Sequence, residues 1–224
     1  MKRILIDVDT QIDFMDPTGR LYVPSKDGVV SNILSELKSA ESNGDVILGC
    51  VDSHSYDSWE YQENGGPFPG RHCYKGTIGW TRMFQEVPNK IRFIPMTTAK
   101  QGILCGGLKE NEENRKLEVS DLVNEAVNGV GLYFEKEVYS LFSNQISSWV
   151  LTEIVNLLGG NEKVLFDIIG FCTGGYCVDS VALGLKSRGY KNIRILSNAT
   201  SAIGGEEGEK KSKKELTSAG ICWI

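Results

Sequence analysis

The 224-residue sequence lacks any apolar run approaching the roughly 18 residues that a membrane-spanning helix needs. It also lacks an excess of positive charge, because 24 lysines and arginines face 29 aspartates and glutamates, for a net charge of −5. These two absences argue against a membrane protein and against a nucleic-acid partner. The first residues enter an apolar strand-like segment without the signature of a secretory signal, so we expect a cytoplasmic protein.

Cysteine and histidine are both scarce. Six cysteines are too few for a disulfide scaffold in a chain that is long enough to bury its own core, and we expect most of them to be reduced. The whole histidine complement is His54 and His72, which lie on one segment of the chain. The scattered spacing of the six cysteines gives little support to a redox or metal-storage role for them.

Short apolar, β-branched segments alternate with segments of helical periodicity. Because strands buried on both faces have this composition, the alternation predicts an α/β fold with a three-layer, mostly parallel six-stranded sheet and helices on both faces. The predicted strands are 3–8, 45–52, 131–135, 163–170, 192–197 and the terminal ICWI, and the predicted helices are 29–42, 147–158, 178–188 and 208–218. In such sheets, active-site residues gather beyond the carboxyl ends of the strands.

Residues 84–130 fit this alternation poorly, since glycines and the charged segment 109–116 surround one predicted helix at 119–126. We therefore expect one domain over residues 1–224 with an insertion at about 84–130, either a solvated excursion or a lid or oligomer contact. The charged run 205–215 is typical of a solvated helix face.

Three residues that could take part in catalysis follow predicted strands. Asp9 could serve as a general base, although acidic residues at strand exits are also common turn formers and caps. Lys136 follows another strand, where lysines are usually solvated. Cys177 is expected to begin a helix, whose dipole would lower the pKa of its thiol and whose N–H groups could stabilise an oxyanion. A buried structural cysteine is the alternative.

A second group of residues has the composition of a metal site. Asp52 and His54 end a predicted strand, and His72 lies further along the same loop. One aspartate with two histidines suits zinc, iron or manganese with positions open for water or substrate, although a lone histidine is more often structural. Because parallel strands share one carboxyl edge, this loop, Asp9, Lys136 and Cys177 can meet there.

Five segments carry a resemblance to a known family: DTQIDF at 9–14, DSH at 52–54, FPGRHCYKGTIG at 68–79, KEVYSLF at 136–142 and GFCTGGYCV at 170–178. They resemble motifs of the cysteine hydrolases of the isochorismatase-like superfamily, and within it of the nicotinamidases. They follow the family's order and span nearly the whole chain, so the resemblance implies the Rossmann-like isochorismatase fold. The last segment is one residue longer than the family's pattern and lacks its customary aspartate.

The resemblance implies an Asp–Lys–Cys triad formed by Asp9, Lys136 and Cys177. Cys177 would attack a carboxamide carbon, and Asp9 would take the thiol proton and return it to departing ammonia. Lys136 would hold Asp9 ionised and help to orient the pair. The implied oxyanion hole uses the backbone N–H groups of Cys172 and Cys177.

The resemblance also implies one divalent metal ion, zinc in the first instance, with iron or manganese as alternatives. Its protein ligands would be Asp52, His54 and His72, and a fourth ligand is expected from Glu63, with Glu60 as the alternative.

Phe14 and Phe68 match aromatic positions that flank the substrate ring in the family, and Tyr176 of the nucleophile loop is expected beside them. The implied activity is hydrolysis of the linear amide bond of nicotinamide to nicotinate and ammonia, through a thioester, which would suit pyridine-nucleotide metabolism. The partner would be a small-molecule amide, and a homo-oligomer is possible. The alternatives are the same chemistry on another small amide, or a non-catalytic member that binds metal and pyridines.

Overall fold

Apolar β-branched segments form a central parallel sheet of seven strands in the computed structural model, which describes residues 1–96 and 108–224, with the backbone alone at 108–114. The strands are β1 (Lys2–Val8), β2 (Val46–Asp52), β3 (Ile91–Ile94), β4 (Gly131–Lys136), β5 (Val164–Thr173), β6 (Ile193–Ala202) and β7 (Cys222–Trp223). Their order in the sheet is β3-β4-β2-β1-β5-β6-β7, and every neighbouring pair is parallel.

Helices cover both faces of this sheet, as the sequence predicts. They are α1 (Ile12–Met15), α2 (Val29–Asn43), α3 (Leu108–Val127), α4 (Gln145–Leu157), α5 (Cys177–Ser187) and α6 (Gly205–Ser218). Alternate residues of β1 point to opposite faces: Ile4 and Ile6 pack with α3, α4 and α5, whereas Leu5 packs with α2. The result is the expected three-layer arrangement. None of the described helices is long and apolar enough to cross a membrane.

The prediction of six strands is wrong by one. All six predicted segments form strands, and β3 is the additional one, paired with β4 at one edge of the sheet. Helix α3 is also longer than the predicted 119–126. Residues 97–107 of the expected insertion, which include Cys105, lie outside the described residues. That residues 1–224 form one domain, with an insertion at about 84–130, stays a prediction.

The sheet order brings four strand ends together. In the order β4-β2-β1-β5, Lys136 at the end of β4 lies opposite Asp52 at the end of β2. On the other side, β1 pairs Val8 with Gly170 of β5. Gly170 has a φ of 113°, and a Cβ there would lie 2.0 Å from the carbonyl oxygen of Val8, so only glycine allows this approach. The segment that follows β1 therefore leaves the sheet beside the last residues of β5.

Candidate active site and metal centre

A fully buried lysine is at the centre of the strand-end cluster. The Nζ atom of Lys136 lies 2.8 Å from Asp9 Oδ2, 2.8 Å from Asp52 Oδ1 and 3.5 Å from Cys177 Sγ. All four side chains are buried, so their charges interact with little screening by water. The structure thus brings together the three residues of the predicted triad and one predicted metal ligand. The alternative of a solvated Lys136 is wrong.

Asp9 is held just beyond β1 in an uncommon conformation. Its φ is 49°, in the left-handed region that non-glycine residues adopt at a cost, and its N–H donates to the carbonyl of Cys50 at 3.1 Å. Burial and the nearby charge of Asp52 together raise the pKa of Asp9 to about 6, against the opposing effect of Lys136. Its pKa is therefore near neutrality, as a general base requires.

Lys136 and Asp52 stabilise each other as ions. Burial by itself would raise the pKa of Asp52, but Lys136 and His54 bring it well below its usual range. Burial would likewise lower the pKa of Lys136, yet Asp52 and Asp9 raise it well above its ordinary value. Lys136 is accordingly a cation and Asp52 an anion at neutral pH.

Cys177 is the first residue of α5, as predicted, but its thiol is less acidic than expected from that position. Burial and the charge of Asp9 raise its pKa well above the ordinary value, and Lys136 opposes them. The expectation of a lowered pKa is therefore wrong, because desolvation in the buried site disfavours the charged thiolate. The resting thiol is neutral, and it needs a base to become a nucleophile.

Cys172, the other predicted oxyanion donor, lies near the end of β5, and the peptide bond that precedes it is cis. The register of β5 against β6 shifts between Phe171 and Thr173. Cys172 thus lies at an irregularity, where a residue is left out of the regular ladder of backbone hydrogen bonds. This placement agrees with a role for its N–H outside the sheet.

Four buried side chains form a group that could hold a metal ion: Asp52, His54, Glu60 and His72. His54 Nε2 lies 3.1 Å from Asp52 Oδ2 and 3.7 Å from Glu60 Oε2, and His72 Nε2 lies 3.9 Å and 3.5 Å from the same two atoms. Zinc bonds of about 2.0–2.1 Å in a tetrahedron place the ligand atoms roughly 3.3 Å apart. The four donors therefore fit a metal such as zinc.

An unsatisfied polar atom supports this fit. His72 Nε2 is buried without a hydrogen-bond partner among the described residues, a costly arrangement that a cation would relieve. The other nitrogen of His54, Nδ1, lies 2.9 Å from Ser58 Oγ, and a proton on Nδ1 would leave Nε2 free to bind a metal. Sequence reasoning missed Ser58, although its position four residues after His54 was a usable signal.

The structure places Glu63, the predicted fourth ligand, outside this cluster. Its side chain is 48% exposed and pairs with Arg71, with Nε of Arg71 2.6 Å from its Oε1. Glu60, the alternative, is in the cluster because backbone hydrogen bonds join Glu60 and Gln62 to Phe68 and fold the loop inward. This pairing turns Glu60 towards the histidines and Glu63 towards solvent.

Two residues of the segment 9–14 hold the metal loop in place, a role that the sequence did not reveal. Gln11 binds both sides of the Asp52 backbone: its Nε2 donates to the carbonyl at 2.8 Å and its Oε1 accepts from the N–H at 2.7 Å. The carboxylate of Asp13 accepts from the N–H of Cys73, the neighbour of His72, at 2.6 Å. The one sign of this role in the sequence was that Gln11 and Asp13 belong to the motif DTQIDF at 9–14.

Aromatic side chains line the small cavity above these groups. The three predicted substrate residues, Phe14, Phe68 and Tyr176, all border it, together with Cys172 and Cys177. The ring centroids of Phe14 and Phe68 lie 5.9 Å and 5.6 Å from that of His72, and those of Phe68 and Tyr176 are 5.9 Å apart. Tyr139 also lines the cavity and was not predicted there. These aromatic rings thus border the space between the thiol and the metal ligands.

Solved amidases share this fold. The chain is similar to the pyrazinamidase of Pyrococcus horikoshii in complex with zinc, with a TM-score of 0.67 and 25% identity over 100% of this chain and 99% of that one. For a nicotinamidase/pyrazinamidase from Bacillus subtilis the values are 0.68 and 22%, covering 100% of both chains. For an N-carbamoylsarcosine amidase from Thermoplasma acidophilum they are 0.63 and 20%, covering 100% and 95%. No protein-family model and no curated protein sequence matches the chain. The likeness confirms the expected isochorismatase-like fold.

Proposed function

We propose that the chain is a metal-assisted cysteine amidase that hydrolyses nicotinamide to nicotinate and ammonia. The observation that carries the proposal is Lys136, which joins the buried Asp9 and Cys177 to the metal cluster through Asp52. An aromatic cavity borders the same thiol, and one of the similar structures is a pyrazinamidase in complex with zinc.

Catalysis begins with the removal of a proton from a neutral thiol. Asp9 accepts the proton of Cys177, and the resulting thiolate sulfur attacks the carbonyl carbon of the amide. The positive charge of Lys136, 3.5 Å from the sulfur and 2.8 Å from the carboxylate, stabilises the anion on either group.

The tetrahedral intermediate collapses when Asp9 returns the proton to the leaving nitrogen, and ammonia departs from a thioester on Cys177. The backbone N–H groups of Cys172 and Cys177 are the proposed donors to the oxyanion. Water then attacks the thioester, with Asp9 again accepting a proton. This step releases the carboxylate and restores the thiol.

Asp52, His54, Glu60 and His72 would hold the metal ion, which when bound supplies a Lewis-acid position for an electron pair of the substrate, such as that of a ring nitrogen. Phe14, Phe68 and Tyr176 would orient a flat ring between these ligands and the thiol. The residues of the cavity thus both select an aromatic amide and align its carbonyl with Cys177.

The direct test is ammonia release by the purified, zinc-supplemented protein given nicotinamide, pyrazinamide and N-carbamoylsarcosine in parallel. We expect the two aromatic amides to be hydrolysed well above background. Hydrolysis of N-carbamoylsarcosine alone would instead assign the chain to another small amide that has no aromatic ring. If protein that binds zinc released no ammonia from any of the three compounds, a non-catalytic member of the fold would be favoured.

We also expect kcat/KM to fall as the pH decreases through about 6. Asp9 must be ionised to accept the thiol proton, and burial raises its pKa to about 6, so its protonated fraction grows below that pH. Initial rates from pH 5 to pH 8 would measure the acid limb. Metal loss in acid is controlled by repeating the series at a tenfold higher zinc concentration, which should leave the limb in place. Constant kcat/KM over this range would contradict the assignment of Asp9 as the base.

A further inference from the structure

Two buried side chains bind the backbone of the loop that precedes Cys177. The N–H of Gly174 donates to Ser212 Oγ at 2.6 Å, and the N–H of Gly175 donates to Asp179 Oδ2 at 2.6 Å. The hydroxyl of Ser212 in turn donates to the same oxygen of Asp179. Ser212 is completely buried and Asp179 is 2% exposed. The charged run 205–215 is therefore not only a solvated face, because its Ser212 points inward to this loop.

The loop needs such support because its own sequence does little to fix it. Gly174 and Gly175 have φ values of 100° and 98°, a conformation that adjacent glycines reach easily and leave just as easily. A Cβ on Gly174 would lie 2.7 Å from the carbonyl oxygen of Ile203, so a stiffer residue cannot replace it there. Hydrogen bonds from outside the loop must therefore set its path.

We propose that Ser212 and Asp179 are positioning residues for the nucleophile loop, which aligns the Cys172 and Cys177 N–H groups on the reacting carbonyl. This inference rests on the proposed amidase function. Neither side chain borders the cavity, so neither contacts the substrate. Both act through the backbone of Gly174 and Gly175, which links Cys172 to Cys177.

The direction of the hydrogen bonds assigns a separate duty to each residue. Ser212 accepts from one glycine and donates onward, so its hydroxyl must have an acceptor beyond it. Asp179 Oδ2 is that acceptor and also receives the second glycine N–H. Removal of Ser212 leaves the buried N–H of Gly174 without this partner, and removal of Asp179 releases the N–H of the exposed Gly175. Either change frees the loop to move.

The test compares Ser212→Ala and Asp179→Ala with the wild type in steady-state hydrolysis of the best amide substrate. We expect kcat to fall by about 10- to 100-fold, because a misplacement of about 1 Å at a reacting centre costs about that much. KM and zinc affinity should stay within about twofold, since the cavity and the metal ligands are untouched. Asp179→Asn, which keeps an acceptor oxygen, should recover most of the lost kcat.

The matched control is Ser218→Ala on the same helix, where an exposed serine donates to the carbonyl of Lys214 in its own helix. It should leave kcat unchanged. Wild-type kcat in both Ser212→Ala and Asp179→Ala would overturn the positioning role. Losses of kcat that disappear once the rates are divided by the folded fraction, as measured by thermal unfolding, would overturn it too. A wild type that hydrolyses no amide would instead refute the proposed function.

Discussion

Cys177→Ala is expected to abolish ammonia release, with kcat reduced by on the order of 10⁴-fold or more. Of the two cysteines that border the cavity, Cys172 and Cys177, it is Cys177 whose sulfur Lys136 contacts, at 3.5 Å. Loss of the nucleophile removes the thioester route altogether, whereas an alanine in the first turn of α5 costs the fold little. The measurement is ammonia release under single-turnover and multiple-turnover conditions.

Zinc binding by the Cys177→Ala variant should be unchanged, because the sulfur is not among the four clustered metal donors. Cys222→Ala is the matched control, since Cys222 is exposed on β7 at the far edge of the sheet and should be dispensable. Retained turnover in Cys177→Ala, with full loss in Cys172→Ala, would transfer the nucleophile to Cys172.

The sequence predicted the sheet well wherever strands are long and buried. Segments such as VILGCVD of β2 are apolar almost throughout, and every residue of that strand is buried. Strand β3 was not predicted, because it has four residues at a sheet edge and only one of them, Ile94, is fully buried. Such a strand is held mainly by its pairing with β4, which no local pattern of side chains records.

The residues of the site could likewise be predicted at the ends of buried strands but not in an irregular loop. Asp9, Asp52, Lys136 and Cys177 could be placed together because the carboxyl ends of neighbouring parallel strands share one edge. Glu60 could not be distinguished from Glu63, because both belong to an irregular loop whose path depends on backbone bonds to Phe68. Periodicity carries no information in such a segment.

Asp52 couples the metal cluster to the catalytic group. Its Oδ1 lies 2.8 Å from Lys136 Nζ, and its Oδ2 lies 3.1 Å from His54 Nε2. The two oxygens of one carboxylate thus serve the two halves of the site. A change confined to the metal side is therefore best made at Glu60, which contacts both histidines and has no bond to Lys136 among the described residues.

Glu60→Gln is expected to weaken zinc binding by at least about 100-fold, whereas Glu63→Gln should leave it unchanged. Loss of groups that only orient metal ligands costs about 10- to 100-fold in affinity, so loss of a ligand should cost no less. Glu60 is buried with its Oε2 3.5 Å from His72 Nε2, whereas Glu63 lies in solvent and pairs with Arg71. The pair of substitutions makes the same chemical change three positions apart.

Titration of metal-stripped protein with zinc against a competing chelator would measure both affinities. KM for the amide should rise in Glu60→Gln at limiting zinc and recover partly when zinc is raised, because the variant loses substrate binding through loss of the metal. Equal zinc affinities in the two variants would refute the cluster as the metal site. Weaker binding in Glu63→Gln alone would restore the carboxylate favoured by the sequence, and would require the loop around Phe68 to fold differently when the metal is bound.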